Sequence, residues 1–183
     1  MNRRRFAIGA AVLTILCGGA TRLSAQDEDD DVPAITARVH GTFVDRVGGA
    51  GVLSGDMFIV RFEVRDGTAT AIGRIKGSLA DSTGYVLGQV DDELAMPVGG
   101  IDATCNQLRM DLAATEADVL GTRVHFDAQT GGFDSREGTT PRALAVLCAA
   151  GDVFRRPATP ATRARTLNDI VSAVKVKRSA GVR

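Results

Sequence analysis

Tryptophan is absent from the 183 residues, tyrosine occurs once, and all aromatics together make up 4%. Stacking platforms for sugars or unpaired bases need aromatic faces, and this chain has few to offer. Histidine occurs twice, as His40 and His125. Neither a C-x-x-C nor an H-x-x-x-H spacing is found, so the tight ligand patterns of zinc sites are missing and no metal is expected. The formal charge is zero, and without a basic excess nucleic-acid binding is not expected. The glycine-rich stretch "DRVGGAGVLSGD", Asp45 to Asp56, carries neither the Gly-Lys-Ser/Thr of a phosphate loop nor a complete G-x-G-x-x-G. No nucleotide or other cofactor is therefore expected. The longest apolar run, Phe6 to Ala20, has about fifteen residues, short of the roughly 18 of a membrane helix.

What is present begins with that run. Arg3, Arg4 and Arg5 precede it and Leu23-Ser24-Ala25 follows it. A positive start, an apolar middle and a small-residue end are the pattern of a secretory signal peptide over residues 1–25, cleaved between Ala25 and Gln26. Arg3-Arg4-Arg5-Phe6 also fits the core of a twin-arginine signal, so the general and twin-arginine routes both stay open. An uncleaved anchor is the alternative. Cys17 lacks a lipobox, because Leu16 stands directly before it and Thr14 three before it. Cleavage removes four arginines and no acid, leaving 18 basic against 22 acidic residues over 158 positions. That length suffices for one domain with a real core, and no stable transmembrane segment remains. The next residues, 26–33, form an acidic lead expected to be solvated and without fixed structure; the spacing of a calcium loop is missing.

Only Cys105 and Cys148 survive cleavage. Two cysteines in one small exported domain pair in an oxidising compartment. A bridge across 43 residues would contribute about 4 kcal/mol in the chain-entropy model. Free buried thiols are the other reading. A thiol nucleophile would want a histidine tied to it, and no local motif supplies one.

Period-two alternation dominates the middle of the chain. Ile35, Ala37, Val39, Gly41 and Phe43 share one face of a strand, with His40 on the other. Phe58, Val60, Phe62 and Val64 line a second strand, and Asp66-Gly67 marks a hairpin. Ala69, Ala71, Gly73, Ile75, Gly77 and Leu79 line the returning strand, with Ile72 out of phase. A weaker strand runs from Tyr85 to Val98, and Gly99-Gly100 leads to another starting at Cys105. Leu120, Val124, Phe126 and Ala128 mark a further strand, from which His125 and Asp127 project together. "QTGGFDSREG" reads as a loop. Thr140-Pro141 and Thr159-Pro160 each read as a cap followed by proline at the first helical position. The first helix spans Ala143 to Ala150 with Gly151 as its stop, and the second carries Leu167, Ile170, Val171 and Val174.

Three of these segments, in order, resemble a family of uncharacterised secreted bacterial β-rich proteins. They are Arg61-Phe62-Glu63-Val64-Arg65-Asp66-Gly67 with Ala71 to Gly77, then the C-x-x-L-x-L-x-L-like Cys105 to Leu112, then Leu144 to Cys148, which ends in Leu-Cys. The likeness spans Ile35 to Gly151. The family's Gly-Pro after the alternating leucines is Ala113-Ala114 here. The resemblance implies the fold and the cysteine pair, and no activity.

The expectation is a mainly β chain: an antiparallel barrel or sandwich of about seven strands, with one or two C-terminal helices. Residues 34–151 form the β domain with its disulfide-tied helix, and 152–183 a linker and an amphipathic helix. Phe43, Phe58, Val60, Phe62, Leu108, Met110, Leu112, Val124 and Phe126 are expected to build the core. The function expected is that of an exported, non-catalytic binding or scaffolding protein, acting on an envelope protein or an apolar small molecule. The alternatives are a small barrel that carries an apolar ligand, and a hydrolase using His125 and Asp127.

Overall fold

The computed structural model describes residues 35–136 and 139–174. The expected signal peptide with its Ala25–Gln26 cleavage site, the acidic lead and the basic end 175–183 lie outside the described residues.

Alternation makes eight strands: β1 (Thr36–Val44), β2 (Ala50–Arg65), β3 (Thr68–Ala80), β4 (Val86–Ala103), β5 (Gln107–Leu112), β6 (Thr115–Val119), β7 (Thr122–Phe126) and β8 (Gln129–Asp134). Two helices follow, α1 (Pro141–Phe154) and α2 (Pro160–Val174). All pairings are antiparallel, in the order β2-β3-β4-β5-β8-β1-β7-β6, with β1 also paired to β2. That order is ring-like without making a barrel. At one end β1 meets β8 through Thr36↔Gly132 and Ala37↔Gly131, which closes the ring. At the other, β7 takes the place of β8 beside β1 through Gly41↔Phe126 and Thr42↔His125. There, among the described residues, β6 pairs only with β7, and the first half of β4 pairs only with β3, so the ring is split between them.

Several strand expectations change. Along β2 the inward residues are Leu53, Met57 and Ile59, then Phe62. The register against β3 shifts between Ile59 and Arg61. One inserted residue reverses which side chains face inward, so Phe58 is half-buried and Val60 exposed instead of both lying in the core. β4 continues through Pro97 and Gly99-Gly100, with a register shift between Val98 and Ile101. Cys105 stands in the turn before β5, not on the strand. The segment from Thr115 to Phe126 is a hairpin turning at Leu120-Gly121, so Leu120 is an exposed apex and not part of a core stripe. "QTGGFD" is the strand β8, not a loop. Its Gly132 crosses so close to β5 that a Cβ there would collide with the Leu108 carbonyl oxygen. Glycine in a strand signals such backbone approach as readily as it signals a turn.

Both caps are as the sequence predicts. The Thr140 hydroxyl accepts from the Ala143 N–H at 3.2 Å, and that of Thr159 from the Thr162 N–H at 3.2 Å. α1 runs past Gly151 to Phe154. That glycine is a contact, not a stop: a Cβ there would meet the Ala103 carbonyl oxygen at 2.7 Å. Beside it, Cys105 and Cys148 form the expected disulfide, so α1 is tied to the end of β4. α2 buries Ala164, Leu167, Ile170, Val171 and Val174 in the same core as the strands. It also covers an edge. β2 extends beyond its pairing with β1, and there Asn168 accepts from the Phe62 N–H and donates to the Phe62 carbonyl, both at 2.8 Å. A side-chain amide thus takes the place of a neighbouring strand.

Candidate binding surface

His125 and Asp127 both face solvent on the outer side of the sheet. The His125 Nδ1 lies 3.9 Å from a Glu116 carboxylate oxygen, and that carboxylate is also held by the Arg123 guanidinium at 2.8 Å. Asp127 reaches β1 through its backbone, whose N–H donates to the His40 carbonyl at 3.2 Å. Ser54 is opposite His40 on β2. Among the described residues no side-chain hydrogen bond joins Ser54, His40, His125 and Asp127. The arrangement therefore offers exposed imidazoles on a sheet face, without the linked chain of proton acceptors that activates a hydroxyl.

The interior is filled by fully buried Met57, Ile59, Leu94, Met96, Leu108, Met110 and Leu112. Among the described residues, hollows lie on the outside. One, of about 410 Å³, is lined by Val60, Gly73, Arg74, Asp91, Asp92 and Glu93. Of its charges, Arg74 pairs with Asp91 and Glu93 with the neighbouring Arg61, while Asp92 accepts from the Glu93 N–H. The Arg74 hydrogen bond lowers the Asp91 pKa. No group of three metal-ligating side chains occurs among the described residues. Another hollow, of about 390 Å³, lies between α1 and α2 over Val146, Ala149 and Val153, with Arg142 and Asp169 at its rim.

The least ordinary surface is the end of the sheet away from the helices. The β1–β2, β3–β4 and β6–β7 turns meet at that end because the strands are antiparallel and β1 pairs with both β2 and β7. Nine large apolar side chains are exposed among the described residues, and seven of them are here. Val47 is 83% exposed at the β1–β2 apex and Tyr85 71% exposed just before β4. Val44 and Val52 flank the first turn, Val86 and Leu87 follow the second, and Leu120 caps the third. Scattered exposed valines need no explanation, but a cluster on converging turns does. Leu120 also has φ +50°, a left-handed conformation that glycine or asparagine adopts at less cost.

The first two turns are braced together. One Asp45 carboxylate oxygen accepts from the Val47 and Gly49 N–H groups at 3.0 and 2.7 Å. The other accepts from the Ser82 N–H and hydroxyl at 3.1 and 2.5 Å. The Ser82 hydroxyl, before the other donors, pulls the Asp45 pKa down to about 2. Asp81 does the same within the second turn, accepting from the Thr83 hydroxyl and N–H and from the Tyr85 N–H. Its pKa is lowered, chiefly by the Thr83 hydroxyl. Loop tips carrying apolar residues on a fixed backbone suit binding, since little ordering entropy is left to lose. Sequence pattern alone does not single out this surface. Its nearest signal was "YVL" directly after the turn "ADSTG", three large apolar residues where polar ones are usual. Comparison with family models, with curated proteins and with solved structures finds no match to this chain.

Proposed function

We propose that this chain is an exported, non-catalytic binding protein of the bacterial envelope or exterior, and that the apolar turn end is its binding surface. The gathering of exposed Leu120 with Val47 and Tyr85, the latter two on turns braced by Asp45 and Asp81, is the observation that carries the reading. The disulfide is consistent with an oxidising compartment. Export through the signal ending at Ala25, by the general or the twin-arginine route, belongs to the proposal, as does kinship with the secreted β-rich family it resembles. A carrier or a hydrolase would draw support from an interior apolar cavity or a linked His125–Asp127 pair.

Size fractionation of host-cell lysates tests the surface. Native protein in gently lysed cells is expected to run above monomer size, in a complex of any composition, and V47D with Y85S to run as the free monomer. An identical distribution of the two proteins overturns the reading. Intact mass of the native protein, showing loss of residues 1–25, checks the export signal.

A further inference from the structure

We infer that the turn end docks on the turn end of a second copy of this chain, an inference that rests on this end being the binding surface. Size is the first argument. Seven apolar residues, each half or more exposed, would at ordinary residue areas present on the order of several hundred Å², more than isolated surface residues explain and on the scale of the roughly 800 Å² that each partner gives to a stable interface. Charge is the second. The tips carry both signs: Asp45, Asp81 and Asp118 against Arg46 and Arg123. Among the described residues Arg46, at the β1–β2 apex, forms no ion pair. In a two-fold arrangement the same patch faces itself, and a patch of mixed sign can set the Arg46 cation against its copy's Asp118 carboxylate. A bilayer fits less well. It would have to accept tips that carry three carboxylates, and their excess over the arginines opposes an anionic headgroup layer.

The chain has one tyrosine and no tryptophan, so its intrinsic fluorescence reports on Tyr85 alone, inside the proposed contact. The chain from Gln26 onward is suitable material, because the core cluster described lies wholly within it. Sedimentation and iodide quenching are to be followed over a dilution series. A monomer–dimer equilibrium is expected, with Tyr85 shielded in the dimer and quenchable once diluted. V47D enters both copies of a two-fold dimer. At about tenfold per copy it is expected to raise the dissociation constant about a hundredfold, with an unchanged circular-dichroism spectrum, and a melting temperature equal to that of the parent diluted to monomer, showing that the fold is kept. A monomer at all concentrations, or a dimer that V47D leaves intact, overturns self-docking. If the monomer instead binds phosphatidylglycerol vesicles, or only a host protein, through Val47, self-docking fails while the binding surface stands. A native size in cell lysates that V47D with Y85S does not alter is the separate failure of the surface itself.

Discussion

At the scale of single residues, one carboxylate joins two turns that are 37 positions apart in the chain. Asp45 has its pKa held at about 2 against an ordinary 3.8. A group whose pKa is lower in the folded state stabilises that state when ionised. Its contribution is complete above 3.8 and is lost as the pH falls through about 2. D45N removes that contribution. It is expected to melt a few degrees below the native protein at neutral pH, with the gap narrowing between pH 3.8 and about 2, as thermal melts by circular dichroism would show. A constant gap across that range contradicts the role. Leu120 separates stability from binding. L120N suits the left-handed backbone, so its unfolding free energy is expected to stay within about 0.5 kcal/mol of the parent while the dimer weakens. Neither role was legible beforehand. Asp45 looked like one more polar turn residue, because its partner Ser82 is far away in sequence. Leu120 fitted a strand period that the hairpin in fact interrupts.

Among the elements, β2 shows where periodicity fails. Alternation predicted the strand, its hairpin at Asp66-Gly67 and its pairing with β3. It placed Val64 and Phe62 in one unbroken series with Val60 and Phe58, but the extra residue near Val60 reverses the faces partway along. A period read backwards from Phe62 therefore selects the wrong half of the strand. Unfolding in urea would measure the difference. I59A, at a fully buried position, is expected to cost about 2–5 kcal/mol, and V60S, at an exposed one, less than about 0.5 kcal/mol. Comparable losses at both sites would contradict the bulge. The helices were more legible, since caps and first-turn prolines are local signals. Gly151 and the glycines of β8 were not, because close approach of distant backbones leaves no local trace.

For the whole molecule, the sequence already indicated a β chain with C-terminal helices and a cysteine pair across 43 residues. The way the strands form a split ring was out of reach, because β1 meets β8 by contacts that no short window contains. The disulfide ties α1 to that ring. Replacing both cysteines with alanine is expected to lower the unfolding free energy by about 4 kcal/mol, with reductant giving a comparable shift in the parent protein's urea midpoint. No shift on reduction would mean that α1 holds its place by packing alone.

The Asn168 amide that completes the edge of β2 has a consequence for how the chain is made. α2 is the last described element to leave the ribosome or the translocon. Until it arrives, the strand at Phe62 presents bare amides and carbonyls that a neighbouring nascent chain could pair with. Nascent copies would be most vulnerable to tangling with one another in that interval, and a product cut short before Pro160 would never leave it.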